Sequence, residues 1–435
     1  MSTPSPAAST PALTVGLLGG GTVGSGVVHL LAEHAEEIAI RVGARLEVGP
    51  VVVRDLDKPR DLAAGTLTDD PAAVVDDAAV DLVVEVMGGV EPACAHITAA
   101  LERGASVVTA NKELIAGHGT ALRALARDKG ARLEYEAAVA GSIPIIKPLR
   151  ESLAGDRVRK VLGILNGTTN YILTRMTEEG MGFDEALAEA QALGYAEADP
   201  SADVDGHDAA SKAAILAGLA FDAEVVASDV TVEGIRGVTA TDIAHAARMG
   251  YLVKLLAIAE ERDGQVGVRV HPALVPRAHP LGSVRESYNA VFVEAEAADE
   301  LMFYGRGAGS LPTASAVVGD IVTAARALRS GERPANGSAV ARKPIAPFAE
   351  VWGQHSILLD VADQPGVLAA IAQTFGDHGV SIKSVWQEGG GEAAQLLLIT
   401  HPARQGAVAA TLGSLRDLNV VRDVASVIRV EGGEV

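Results

Sequence analysis

The chain has 435 residues, a length that implies two to four domains. Hydrophobic residues make up 48% and charged residues 21%, which excludes a wholly disordered chain. Lysine plus arginine number 36 against 56 aspartate plus glutamate, and the resulting formal net charge of −20 disfavours nucleic acid as a partner.

Residues 1–11 are rich in Ser, Pro, Ala and Thr, without a basic head or an apolar core, and read as a flexible tail. No apolar run approaches the roughly twenty residues of a membrane helix, so no membrane partner is expected. The single cysteine, Cys94, allows neither an intrachain disulfide nor a cysteine-only zinc cage. These features fit a soluble, cytoplasmic protein.

From Val15, short Val/Leu/Ile runs alternate with Ala-rich stretches of helical spacing. Val15–Leu18, Val51–Val53, Leu82–Glu85 and Ser106–Thr109 read as buried strands, and Thr22–Glu36 as a helix. That alternation predicts a doubly wound parallel sheet over 12–145. Residues 146–310 read as an α+β domain, with helices over Phe183–Leu193, Asp208–Phe221 and Thr241–Glu260 and strands over Val266–Val270 and Ala290–Glu296. A helix over about 311–330 is expected to return to the first domain. Residues 331–350 carry Gly, Pro, Ser and basic residues without apolar periodicity, which predicts a linker dispensable to the catalytic fold. Residues 351–435 then follow a βαββαβ order, including a Gly389-Gly390-Gly391 turn, which is the ferredoxin-like split unit. The fold class is α/β, with a second α+β domain and a C-terminal ferredoxin-like unit.

Gly19-Gly20-Gly21-Thr22-Val23-Gly24 fits G-x-G-x-x-G at Gly19, Gly21 and Gly24, after a strand and opening a helix. Those glycines permit a tight turn, close approach of a pyrophosphate and close helix–strand packing, which points to a dinucleotide. Arg54 at the tip of the second strand, with Lys58 nearby, suits a 2′-phosphate, so NADP(H) is favoured. Asp55 keeps NAD(H) open. Further on, Glu197, Asp199, Asp203, Asp205 and Asp208 precede Lys212. Asp208 and Lys212 stand four apart on one helix face, where the lysine can act as a proton donor and carboxylates can bind an ammonium. The plain alternative is a surface ion pair, but this helix continues into the apolar Ala213–Leu219.

The segments GGGTVGSGV, VMGGVEP, TANKELIA, GILNGTTNYIL, GYAEADPSADVDGHDAASK and YGRGAGSLPTASAVVGD together resemble homoserine dehydrogenase. The C-terminal unit, with Asp363-Gln364-Pro365-Gly366 at its first strand–helix junction, is similar to the ACT amino-acid-sensing domain. The resemblance implies NAD(P)H-dependent reduction of L-aspartate 4-semialdehyde to L-homoserine, in threonine and methionine biosynthesis. It implies a Rossmann domain whose Gly19, Gly21, Thr22, Val23 and Gly24 hold the cofactor, with Lys112, Gly194, Gly305 and Gly307 beside it. Lys212 and Asp208 would be catalytic. Glu197, Asp203, Asp208, Lys112, Gly167 and Thr168 would bind substrate, the last two through backbone N–H groups. Glu136, Val139, Gly141 and Ile143 match a monovalent-cation (Na⁺) site. Gly305–Gly309 would be a flexible loop over the nicotinamide, and a homodimer or homotetramer with threonine as effector would follow.

Phosphoglycerate dehydrogenase also joins a Rossmann domain to an ACT domain, but its dinucleotide domain is inserted within the chain. Aspartate semialdehyde dehydrogenase needs a nucleophilic cysteine, and Cys94 reads as packing. A non-enzymatic amino-acid sensor would not need the Glu197, Asp208 and Lys212 set.

Overall fold

The computed structural model describes residues 12–60, 62, 64–332, 343–389 and 394–433. The expected tail at 1–11, residues 333–342 of the expected linker, and Gly390 and Gly391 lie outside them.

The first domain holds β1 (Leu13–Leu18), α1 (Thr22–Glu33), α2 (Ala35–Val42), β2 (Leu46–Val52), β3 (Thr66–Thr68) and α3 (Ala72–Val75). It continues through β4 (Leu82–Glu85), α4 (Ala93–Glu102), β5 (Ser106–Thr109), α5 (Lys112–Lys129) and β6 (Leu133–Glu134). The strands lie in the order β3-β2-β1-β4-β5-β6, every neighbouring pair parallel. Helices cover both faces, which is why the strands read as unbroken apolar runs: Leu17, Val83 and Val107 expose no surface. The chain direction of the order reverses between β1 and β4. Ligands of such folds bind in the crevice past those strand ends.

The middle of the chain contains β7 (Val158–Ile164), α6 (Gly167–Glu178), α7 (Phe183–Ala192), α8 (Ser201–Val204), α9 (His207–Phe221) and β8 (Thr231–Val232). It ends with α10 (Ala240–Arg248), β9 (Tyr251–Arg262), β10 (Gln265–Pro276), β11 (Tyr288–Ala295) and β12 (Asp299–Arg306). The helix expected over Thr241–Glu260 therefore stops at Arg248. Gly250 turns the chain at φ 80°, and β9 pairs with β10 in register from Tyr251 opposite Pro276 to Arg262 opposite Gln265. The run Val253–Ala259 is buried on both faces, and periodicity cannot separate a buried strand from a buried helix. α11 (Ser310–Ser330) then returns to the first domain. Its Ala314, Val317 and Ile321 join Val15, Val27 and Leu31 in one core, burial worth about 1.5–3 kcal/mol for each large side chain.

The last unit comprises β13 (Trp352–Val361), α12 (Val367–Asp377), β14 (Ile382–Glu388), β15 (Ala394–Thr400), β16 (Ala403–Arg404), α13 (Gln405–Arg416) and β17 (Val421–Val430). Its antiparallel order β17-β13-β15-β14 is that of the expected split unit. It does not hang from a tether. β17 pairs in parallel with β10, Ala273 opposite Arg429 and Leu274 opposite Val430, so one 11-stranded sheet crosses from the middle domain into the C-terminal unit. Arg269 bridges Glu260 (2.7 Å) and Glu431 (2.8 Å), and Lys160 meets Glu431 at 2.6 Å. Burial acts to raise the Glu431 carboxyl, yet Lys160 and Arg269 hold it well below the usual carboxylate range. The described end of the expected linker is also bound, since Lys343 and Ile345 form bridges with Ala223 and Val266. Beyond the expected linker, the C-terminal unit is thus joined to the middle domain by a seam with buried ion pairs.

Candidate active site

The glycine loop follows β1 directly. Gly19 has φ 114°, a conformation that a side chain disfavours, and a Cβ there would lie 2.8 Å from the Val86 carbonyl oxygen. A Cβ on Gly24 would collide with the Gly19 carbonyl oxygen, whereas one on Gly21 would meet nothing within 4 Å. Two glycines thus close the turn and one leaves its outer side open. Gly21 caps α1 without a side-chain hydrogen bond, so the first N–H groups of the helix, from Thr22 and Val23, face outward unpaired by a cap. An open cradle at an uncapped helix N-terminus fits a pyrophosphate. Past β2, Arg54 and Lys58 are exposed and carry no ion pair among the described residues. Sequence reasoning passed over Arg60, which binds the Asp55 and Lys58 carbonyl oxygens at 2.6 and 2.9 Å and so holds this loop beside Gly20.

The centre of the site lies where the two domains meet. Asn111 caps α5 by accepting the Leu114 N–H, which puts Lys112 at the first helical position, past β5. From the other side, α9 carries Asp208 and Lys212 one turn apart. Its Ala209, Ala210, Ala213 and Ala214 are buried, small side chains that let the helix approach its neighbours closely. The Lys112 ammonium reaches one Asp208 carboxylate oxygen at 2.5 Å, and the Lys212 ammonium reaches the other at 2.6 Å. Lys212 also donates to the Leu165 carbonyl oxygen at 2.7 Å and is only 11% exposed. Burial acts to raise the Asp208 carboxyl, but the two ammonium groups hold it well below the usual range. Burial likewise acts to lower Lys112, and Asp208 outweighs it and keeps that lysine raised. The i,i+4 spacing of Asp208 and Lys212 therefore marks a buried pair, not a surface one.

Asn166 is the residue that the sequence reading left unassigned. Its side-chain oxygen caps α6 on the Thr169 N–H at 2.9 Å, and its amide donates to Asp203 at 2.6 Å and Asp208 at 3.0 Å. An Asn directly before the Gly167-Thr168-Thr169 helix start was the available signal. Because Asn166 takes the Thr169 N–H, the Gly167 and Thr168 N–H groups are those left at this helix end. Thr168 donates its hydroxyl to the Tyr195 carbonyl oxygen (2.7 Å), which ties the loop of Gly194 and Glu197 to the same place. Glu197 is exposed there, and Gly194 adopts φ 77° with open space beside it.

Glu136 begins a short 3-10 turn, and its carboxylate accepts N–H bonds from Ile145, Ile146 and Lys147 at 2.6, 2.6 and 2.9 Å. Those three bonds occupy the Glu136 carboxylate and fix the segment that holds Val139, Gly141 and Ile143. Gly141 packs against the Gly307 carbonyl, too close for any Cβ. Gly305 is corrected from a flexible loop to the end of β12, and the loop proper starts after Arg306.

A doubly wound sheet that presents a lysine to a buried carboxylate–lysine pair on a second domain defines a nicotinamide-dependent oxidoreductase. Residues 19–136 match the family described as homoserine dehydrogenase, NAD binding domain, residues 144–322 match homoserine dehydrogenase, and residues 355–419 match the ACT domain. The homoserine dehydrogenase of Corynebacterium glutamicum is 49% identical over 426 residues, covering 97% of this chain and 96% of that one. A solved homoserine dehydrogenase from Thiobacillus denitrificans superimposes with a TM-score of 0.92 at 41% identity, over 97% of this chain and 98% of that one. A hyperthermophilic archaeal homoserine dehydrogenase solved in complex with NADPH matches with a TM-score of 0.60 at 29% identity, over 72% of this chain and 98% of that one. The chain belongs to the homoserine dehydrogenase family. It is an NAD(P)-dependent oxidoreductase with a C-terminal ACT domain.

Proposed function

We propose that the protein reduces L-aspartate 4-semialdehyde to L-homoserine with NADPH, as a step toward threonine and methionine. The observation that carries this reading is the Lys112–Asp208–Lys212 bridge across the two domains. Residues 12–145, with α11, hold the cofactor, and residues 146–310 hold the substrate. Bound NADPH supplies the hydride to the aldehyde carbon. Lys212 gives its proton to the oxygen that becomes the alcohol, while Asp208 keeps that ammonium aimed. Lys112 places a second positive charge beside the same oxygen, where negative charge develops. Glu197, supported by Asp203, binds the substrate ammonium, and the Gly167 and Thr168 N–H groups receive its carboxylate. Gly194, Gly305 and Gly307 border the nicotinamide. Arg54 and Lys58 face the 2′-phosphate, a preference supported by their lack of an ion-pair partner among the described residues and by the archaeal relative solved with NADPH.

A Na⁺ ion held by the Val139, Gly141 and Ile143 carbonyls, with Glu136 anchoring the loop, would brace the segment against Gly307. Threonine inhibits through the ACT domain in this reading. The assembly is a homodimer or homotetramer in the cytoplasm, and exposed Tyr304 on β12 and Val385 and Trp386 on β14 supply apolar surface for subunit contact. No helix among the described residues is long and apolar enough to cross a membrane. Initial rates of aldehyde reduction with NADPH and NADH, with and without threonine and Na⁺, test the whole reading. Turnover with NADPH above that with NADH is expected, and no reduction with either cofactor would refute it.

A further inference from the structure

We propose that the seam between the ACT unit and the substrate domain holds a site for a free α-amino acid with a compact aliphatic side chain, separate from the pocket expected around Asp363–Gly366. A cavity of about 400 Å³ opens there between α13, β17, the start of β13 and the short turn at Phe348–Glu350. None of Asp363–Gly366 or Asp377–Val380 lines it.

Its chemistry is that of a zwitterion's complement. Arg416, Arg429 and Glu233, the last from the substrate domain, are its charged lining residues. Arg416 is exposed and has no partner among the described residues, so it is free to take a carboxylate. Glu233 already meets Arg429 at 2.7 Å and can share its charge with an ammonium. A multiply anionic ligand such as a nucleotide would face that carboxylate at close quarters. Phe348, Val408, Leu412 and Val427 supply an apolar wall for an aliphatic side chain.

The floor carries unmet polar groups. His355 and Gln405 are 2% and 6% exposed and touch through Nε2 and Oε1 at 3.2 Å. Among the described residues, Gln405 Nε2 and Arg429 Nε have no hydrogen-bond partner. Buried groups of this kind are usually paired, so these two give the cavity floor unspent hydrogen-bonding capacity. Burial and the nearby Arg429 push the His355 imidazole down to about 4, so at neutral pH it offers an acceptor as well as a donor.

Occupation would reach the catalytic segment through Glu233. The Glu233 N–H donates to the Val270 carbonyl and the Ile235 N–H to the Val204 carbonyl, both at 2.8 Å. Gly234 between them packs on Val204 and Asp205 with no room for a Cβ. That strap leads straight into the segment of Asp203 and Asp208. A ligand held between Arg416 and Glu233 therefore changes substrate affinity more than turnover.

The test is calorimetric titration of the full-length protein with each proteinogenic amino acid in turn, repeated on Arg416→Ala, Ala409→Phe and Asp363→Ala. Ala409 is exposed on the cavity rim, so the larger side chain fills the cavity from outside the core. Unchanged aldehyde reduction without effector shows that the rim variants are folded. Binding of an aliphatic amino acid should weaken about tenfold to hundredfold in Arg416→Ala, the loss of a charge-assisted hydrogen bond, and vanish in Ala409→Phe, yet persist in Asp363→Ala. The matching 2-oxo acid, which lacks the ammonium, should bind more weakly than the amino acid. The proposal is overturned if no amino acid binds. It is equally overturned if binding survives both rim variants and disappears only with Asp363.

Discussion

One buried carboxylate, Asp208, receives two ammonium groups that arrive from different domains. Lys112 and Lys212 each lie within 2.6 Å of it, so neither lysine can be moved without leaving the carboxylate oxygen it serves. The buried Asp208–Lys212 pair on α9 was legible in the sequence because i,i+4 spacing and an apolar continuation are local signals. The link to Lys112 was carried only by resemblance, since no spacing rule joins residues that meet through tertiary folding. Asn166 escaped notice for a related reason: capping explains half of its bonds, and the other half appear only once α8 and α9 are folded beside it. At the proposed cofactor end, Arg54 and Lys58 are exposed and have no ion-pair partner among the described residues. Arg54→Ala should weaken NADPH binding about tenfold to hundredfold, the worth of a charge-assisted hydrogen bond, and leave NADH nearly unchanged. Equal losses for both cofactors, measured by fluorescence titration, would assign Arg54 to the loop's structure.

β1, β4 and β5 of the first domain and the βαββαβ order of the ACT unit were readable because their apolar runs are short. The helix expected over Thr22–Glu36 is instead broken at His34 into α1 and α2. β9 was not readable. Its burial on both faces erases the alternation that identifies a strand, and only pairing with β7 and β10 decides the outcome. The same strand carries Lys254, buried, donating to Asn170 at 3.0 Å and to the Val284 carbonyl at 2.5 Å. Burial pushes its ammonium down to about 8. Below that pH both folded and unfolded chains hold the proton, and the full cost of burying the charge is present. Between about 8 and the unfolded value near 10.4 the unfolded chain binds more protons, so stability rises with pH there. Lys254→Met should remove that rise, up to about 1.4 kcal/mol per pH unit in the wild type. Urea midpoints for both proteins at a pH below and a pH within this window measure it, and parallel pH profiles would contradict the reading.

Across the whole molecule, one sheet runs from the substrate domain into the ACT domain, sealed by Lys160, Glu260, Arg269 and Glu431. The sequence suggested a tethered regulatory unit because the composition of 331–350 is linker-like, whereas the ion pairs that join the units lie far apart in the chain. Glu431→Ala leaves Lys160 and Arg269 short of a buried partner and should lower unfolding free energy by about 3–5 kcal/mol. If threonine acts through the ACT domain as proposed, the same substitution should also reduce the stabilisation that threonine gives, since the seam joins the two domains. Thermal unfolding with and without threonine checks both outcomes, and an unaltered transition would show the seam to be incidental. The central claim is that an aldehyde is reduced where the two domains bring Lys112, Asp208 and Lys212 together. Steady-state reduction of L-aspartate 4-semialdehyde by Lys212→Ala, with NADPH affinity measured on the same preparation, tests it most directly. A loss of turnover of about 10²–10⁴-fold is expected, the usual worth of a general acid, with NADPH affinity unchanged. Turnover near that of the wild type would contradict it.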